Sequence, residues 1–560
     1  MLKRMLFLSG LLCLPLAAQP RLSELKFFGP PALTALERDV LEAAIQLDPS
    51  LASSAGLADD AGAVPSFSSE RIQGLSVRLR ADLDRLKALE WRKLPLDQQI
   101  DFRWIYANAE LMLRQLEVEK TFVHRPSAWL EATANNLISL ITYSPERLDV
   151  QAQVLEGIPA MLTELEGVCT QPTRRDLETA QGVVKGLLVI CQARQPAEPR
   201  LDKARATAAV ALEAYQQRLQ SLHPSQEYQV IGAENYAWRY RRALLLDQTP
   251  EQLMATAYSE LKRVDARLSA LPKSRPRPAT PQEEKLAREL TQASLLALYD
   301  EIEVHHRKSL EKSGVVTLGP KVGPIHARPT PEAMIPLTGD GGSMNPPPPF
   351  GKSALGFWNV EHFKSEWTQQ QRLSQVQLAL RYLDNGMGPY SAHEGVPGHH
   401  LQLSRVRLNP DPVRTLLPDS VMMEGWALYS EEMFWRSGGL GKGPEAEASM
   451  LGGYRSRIKR VIYDVMVETG RWDLQQGANF RHQSKGARID EDLLRTIQWP
   501  TQLVCYFAGK QQILRLKQDC RKAWGAKYSD RRFHDELLAV GSIPLVLVRA
   551  KLLGEAVPGI

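Results

Sequence analysis

The chain has 560 residues, 43% of them hydrophobic and 24% charged, with a formal net charge of +5. A chain of this length buries enough surface to be stable without a disulfide framework. A charge this small and this evenly spread argues against nucleic acid or an anionic membrane as partner.

Met1–Ala18 reads as a signal peptide. Lys3 and Arg4 precede an apolar run from Met5 to Leu16, and Leu16-Ala17-Ala18 puts small residues before Gln19. The run is short for a membrane span, and no later stretch is long and apolar enough to cross a bilayer. The expectation is an exported protein, periplasmic or secreted. Cys13 raises the question of lipidation, but Leu12 stands where a lipid-attachment site wants a small residue, so a lipoprotein is not expected. Export would permit Cys169–Cys191 and Cys505–Cys520 disulfides; buried free thiols are the equal alternative.

Apolar residues at three-to-four spacing predict amphipathic helices over Leu33–Leu47, Glu70–Trp91, Leu96–Glu119, Ser127–Thr142, Ser144–Glu166, Thr173–Gln192 and Asp202–Leu222. Thr249-Pro250-Glu251 is a helix start, with Thr as N-cap and Pro at the first helical position. No fixed-period repeat appears. Pro272–Pro281 is the expected linker between an N-terminal helical lobe, 19–271, and a second lobe, 282–560. Pro324–Gly351 reads as a solvated loop, with a lid or substrate strand as the other reading. Val315–Leu318 and Phe350–Val360 are expected short strands, and Trp358 and Phe363 are expected in the core. Helices follow over Trp367–Asp384, Thr415–Ser437, Ala446–Gly470, Leu493–Lys510, Gln512–Ala523 and Asp530–Val540, with a turn at Asn385–Pro389. The whole is mainly α with a few short strands.

The chemistry concentrates after that turn. His393-Glu394 is followed six residues later by His399-His400, and Glu424, Glu431 and Glu432 lie on the next predicted helix. Imidazoles with a carboxylate make a zinc site, and a zinc hydrolase needs one more carboxylate to move protons. The common zinc helix has histidines at i and i+4, where this chain has Pro397. On an unbroken helix His399 would face away from His393, and His400 would lie about 10.5 Å along the axis, too far to share an ion. Gly395, Pro397 and Gly398 predict instead a bulge that loops out two residues and brings His399 to the i+4 place. Capping or core histidines beside a turn are the bland alternative. Glu394, next to a ligand, is placed to take a proton from water. Glu431 is a candidate acceptor for a ligand imidazole, with a solvated helix face as the equally simple reading. His400 is expected to pack or to bond to backbone.

His393-Glu-Gly-Val-Pro-Gly-His-His-Leu-Gln402, Glu424-Gly-Trp-Ala-Leu-Tyr-Ser-Glu431, Tyr506-Phe-Ala-Gly509 and Phe533-His-Asp-Glu-Leu-Leu538 with Gly541-Ser-Ile-Pro544 resemble the bacterial domain-of-unknown-function 885 family. Leu96-Asp-Gln-Gln-Ile-Asp101 resembles it too, so the likeness covers nearly all of the mature chain. That family is grouped with zinc metallopeptidases. A more distant likeness is to the helical gluzincin peptidases, whose His-Glu…Gly-His segment precedes a glutamate ligand by about 25 residues. The resemblance implies a zincin-like helical fold with a deep cleft between two lobes. It implies Zn²⁺ on His393, His399 and Glu424, with 282–560 as the catalytic lobe. It makes Tyr506, then His534, the candidates to donate to a developing oxyanion. Where family members carry Asp-Thr-Gly and then His two residues later, this chain has Glu468-Thr-Gly-Arg-Trp472. The expected activity is hydrolysis of peptide substrates by water that Glu394 activates. An exported binding protein without catalysis and a zinc amidase acting on cell-wall peptides are the alternatives.

Overall fold

The computed structural model describes residues 19–58, 61–193, 198–224, 226–272, 278–384 and 389–560. The expected leader with Cys13, the centre of the Pro-rich segment and most of the turn before Tyr390 lie outside them. The molecule is mainly helical with one small sheet, as the apolar periodicity predicts.

The N-terminal helices fall close to their predicted bounds. They include Pro31–Leu47, Ser69–Ala88, Leu96–Arg114, Pro126–Tyr143, Leu148–Val168, Arg174–Gln192 and Pro199–Ser221. Side chains cap some helix starts: Thr173 accepts from the Asp176 N–H, and Thr249 and Gln252 cap each other's backbone at a later helix, Pro250–Ala270. Each such cap contributes about 1 kcal/mol. Thr280, at the end of the expected linker, caps Pro281–Arg288 in the same way. The main hydrophobic core draws on residues from Leu22 to Val557, so helices on both sides of the Pro-rich segment share one interior.

Three strands form the sheet: β1, Ile325–Pro329, β2, Ser343–Asn345, and β3, Gly356–Val360. Their order is β1-β3-β2. β1 lies parallel to β3 with Ala327 opposite Trp358, and β2 lies antiparallel with Met344 opposite Trp358. Trp358 is buried, as expected. It meets Tyr299 edge-on at 5.0 Å and Tyr390 at 6.2 Å, which seats the sheet beside the His393 segment. Phe363 packs edge-on against Trp367. The stretch read as a long solvated loop therefore contains β1, which does not alternate in burial, and β2, which is too short for alternation to reveal. Val315–Leu318, expected as a strand, is not one. Its backbone is held by side chains: the Val315 carbonyl faces His534, and the Thr317 N–H donates to Asp535.

Near the C-terminus the predicted helix break is misplaced. Glu491–Gln498 ends before Pro500, Thr501 takes a left-handed φ of 73°, and Gln502–Trp524 then runs unbroken. Cys505 and Cys520 sit on that one helix, about 22 Å apart along its axis, and cannot pair. All four described cysteines are free thiols.

Gln502–Trp524 crosses Ser420–Arg436 glycine to glycine. A Cβ on Gly509 would lie 2.1 Å from the Val421 carbonyl oxygen and 2.6 Å from Gly425 Cα. Backbone cannot swing away as a side-chain tip can, so Gly509→Ala is expected to force the helices apart and lower stability by about 2–3 kcal/mol. Gly452→Ala, on an exposed helical position with no heavy atom within 4 Å, is the control and should stabilise by about 0.5–1 kcal/mol. Denaturant midpoints at constant m-value read both.

Candidate metal centre

The helix Pro389–Glu394 ends on the His-Glu pair, and a second helix, His399–Val406, opens on the next histidine. Between them is a tight turn instead of the bulge within one helix predicted above. The break follows from Pro397, whose ring cannot continue a helix. The turn closes so tightly because position 398 has no side chain: a Cβ there would lie 2.0 Å from the His393 carbonyl oxygen and 2.4 Å from that of Ala392. The turn is pinned from outside. Trp426 Nε1 donates to the Pro397 carbonyl at 3.0 Å, and the Val396 N–H donates to the buried Glu303 carboxylate at 3.3 Å.

This turn brings the two imidazoles face to edge, with centroids 4.8 Å apart at 86°. Glu424 completes the group from Ser420–Arg436. Its Oε2 lies 3.5 Å from His393 Nε2 and 3.4 Å from His399 Nε2. The three ligand atoms all fall within 4.8 Å of one another. A tetrahedral zinc with bonds of about 2.0–2.2 Å separates its ligand atoms by about 3.3–3.6 Å, so both glutamate edges already match. Glu424 Oε2 is buried and has no hydrogen-bond donor, while Oε1 accepts from Gln502 Nε2 at 3.0 Å. An orphaned carboxylate oxygen aimed between two imidazole nitrogens is what a divalent cation satisfies, and the donor set of two nitrogens and one oxygen suits zinc.

Glu431, two turns beyond Glu424 on the same helix face, reaches the other side of the same imidazole. His393 Nδ1 is 2.8 Å from its Oε1, and both groups are buried. The Nδ1 proton thus goes to Glu431, and the Nε2 lone pair points at Glu424 and His399. Burial would push the His393 pKa down, but Glu424 and Glu431 outweigh it and lift it to about 9. Burial likewise works against ionised Glu424, yet the two imidazoles hold its carboxyl well below the ordinary range. Charges that favour a proton here favour a cation equally, and an ion entering the group would displace that proton.

Glu394 is close to fully buried and has no hydrogen-bond partner among the described residues. Burial, with Glu424 nearby, raises its pKa. Tyr506 stacks nearly parallel on the His393 ring, centroids 6.0 Å apart at 19°. Its hydroxyl oxygen accepts from Arg495 at 3.1 Å and from Gln502 at 3.3 Å, which leaves the phenolic proton free to donate outward. Burial and the Glu424 charge raise its pKa, so that proton is retained.

The other histidines stand apart. His534 is not in the centre, contrary to the expectation that it could donate to an oxyanion. Its Nδ1–H donates to the Val315 carbonyl at 2.8 Å, and its Nε2 accepts from the Tyr429 hydroxyl at 2.7 Å, so neither nitrogen is free. Burial pushes its pKa down to about 4. The unfolded chain takes up this proton near pH 6.5 and the folded chain only near 4. The stability contribution is therefore complete above 6.5 and lost as the pH falls towards 4. Between pH 7 and 4.5 the native protein should lose about 2 kcal/mol relative to His534→Gln, as read by denaturant midpoints of the metal-free proteins at the two pH values. His400 bonds through Nε2 to the Gly323 carbonyl at 2.8 Å, the backbone role expected of it. Trp472, where family members carry the extra histidine, packs on Phe480 at 5.3 Å in a satellite core.

Sequence reasoning missed Gln502 and Arg495, which hold Glu424 and Tyr506. Gln502 stands one helical turn before Tyr506, a spacing that puts both on one face; Arg495 left no comparable signal.

A family model described as "Bacterial protein of unknown function (DUF885)" matches residues 49–552. No curated protein matches the sequence. One similar solved structure is a "putative lipoprotein of unknown function" from Shewanella oneidensis. It is 20% identical at a TM-score of 0.69, covering 93% of this chain and 99% of that one. Another is a "putative lipoprotein" from Colwellia psychrerythraea, 15% identical at a TM-score of 0.68, covering 93% and 98%. At these identities the likeness shows the fold. Both descriptions overturn the expectation drawn from Leu12 that a lipid anchor is out of place. Among the described residues no helix is long and apolar enough to cross a membrane.

Proposed function

The chain belongs to the bacterial DUF885 family, whose function is unknown, and from that starting point we propose that it is a zinc-dependent peptidase with a zincin-like helical fold. One observation carries the reading: His393, His399 and Glu424 converge on a common point, with the carboxylate of Glu394 adjoining the first of them in sequence. Two imidazoles and one carboxylate leave a coordination position open, the pattern of catalytic and not structural zinc. Bound there, zinc would acidify water and polarise an amide carbonyl.

The chain's own groups do the rest. Glu394 accepts the proton of the attacking water and later delivers it to the leaving amine; its raised pKa suits a group that must both take and give. The Tyr506 O–H donates to the carbonyl oxygen as negative charge grows there. Glu431 fixes the tautomer and orientation of His393, and Gln502 fixes Glu424. His534 takes no part. The test is metal analysis of the purified protein together with hydrolysis of a peptide library with and without a chelator. One zinc per chain and chelator-sensitive cleavage are expected; zinc without hydrolysis of any amide would overturn the reading.

A further inference from the structure

Three arginines, Arg457, Arg460 and Arg495, lie against Tyr506, a fourth, Arg481, shares an aspartate with Arg460, and all but Arg457 are engaged. Arg460, 4.8 Å from the ring centroid, grips Asp492 through Nε at 3.1 Å and Nη2 at 2.5 Å. Arg481 is shared between Asp490 and Asp492 at 2.8 and 2.5 Å. Arg495 donates to Gln502 and to the Tyr506 hydroxyl.

Arg457 is different. It lies one turn from Arg460 on the helix Pro444–Glu468, 5.9 Å from the Tyr506 ring centroid. It has no carboxylate within ion-pair distance among the described residues. Among the described residues its one hydrogen bond is long, 3.5 Å from Nη1 to the Gly453 carbonyl, and its buried Nε has no acceptor. A buried N–H without an acceptor costs about 1–3 kcal/mol. The Nε edge of a guanidinium is also the edge that meets a carboxylate side-on, with two parallel hydrogen bonds. Arginines nearby satisfy that preference with aspartates of the chain; Arg457 does not.

Its position gives the unpaired edge a purpose. The Arg457 guanidinium carbon lies 5.9 Å from the Tyr506 ring centroid, which lies 6.0 Å from the His393 ring centroid, and the Arg457 charge acts on the Glu394 carboxyl. The guanidinium and the His393 imidazole are therefore at most about 12 Å apart, a span of about three extended residues at about 3.3–3.6 Å each. We propose that Arg457 anchors the C-terminal carboxylate of the substrate, so that the centre takes peptides by their free carboxyl end and cleaves within the last one to three residues. This rests on the hydrolase reading for its cleavage step but not for its binding step.

The test separates the two. Metal-loaded Glu394→Gln protein is dialysed to equilibrium against random pentapeptides lacking Asp and Glu, half with free C-terminal carboxyl groups and half amidated, and bound peptides are read by mass spectrometry. Acids should be enriched at least tenfold over amides. Arg457→Gln should bring the ratio below twofold, and Arg457→Lys should fall between. Equal capture of both pools, capture of neither, or a preference that survives Arg457→Gln overturns the proposal. A third pool, amidated but containing Asp and Glu, covers acidic side chains; its capture without a preference for terminal acids would also overturn it. Enrichment of acids by Glu394→Gln, with neither pool cleaved by the native metal-loaded protein, sinks the hydrolase reading and leaves the anchor standing. Cleavage of acids and amides alike by the native protein, without enrichment of acids on Glu394→Gln, does the reverse.

Discussion

Glu394→Gln will bind one zinc per chain and cleave peptides about 10²–10⁴-fold more slowly than the native protein. Glutamine keeps the shape of the side chain but cannot accept a proton, and general base catalysis is worth about that factor. Glu394 is not among the three convergent ligand atoms, so the metal should stay. Zinc measured by emission spectroscopy and kcat/KM for one cleaved peptide together decide the point. Full activity in metal-loaded Glu394→Gln would remove Glu394 from the mechanism. Loss of zinc would make it a ligand.

Replacement of Glu424 should do the opposite and remove the metal itself. A protein zinc site of three or four ligands binds with roughly 10–16 kcal/mol, so one ligand accounts for about 3 kcal/mol or more, at least a hundredfold in affinity. Glu424→Gln is therefore expected to lose stoichiometric zinc on dialysis and with it all chelator-sensitive hydrolysis. Because Glu424 also accepts from Gln502 and faces two imidazoles, the change perturbs folding as well. Comparing melting temperatures of both proteins in chelator isolates that effect. A Glu424→Gln protein that retains tight zinc would show that the carboxylate oxygen points elsewhere in solution.

Much of this candidate centre was legible in the sequence because residues that constrain the backbone stand between its two histidines. Pro397 rules out a regular helix between the histidines and Gly398 allows the close return, which makes the approach of His399 to His393 an expectation; the choice of His399 over His400 as a ligand came from the gluzincin resemblance. The form of the break was not legible. A bulge and a turn between two helices satisfy the same sequence, and the choice depends on Trp426 and Glu303, which arrive from distant segments. Glu431 had two equal readings, a solvated face or an acceptor for imidazole; its burial decided between them. His534 misled because a motif reports that a residue matters and not why. Its place between Tyr429 and Val315 is a tertiary fact. β2 spans three residues, below the length at which alternation is a signal, and β1 spans five but does not alternate in burial.

The glycine crossing of Ser420–Arg436 and Gln502–Trp524 acts as a fulcrum. Glu424 adjoins Gly425 on one arm, and Tyr506 precedes Gly509 by less than a turn on the other. When two rods rock about a point of contact, their tips sweep the farthest and the pivot hardly moves. Thermal breathing of the bundle should thus widen or narrow the approaches while the spacing of carboxylate and phenol stays nearly constant.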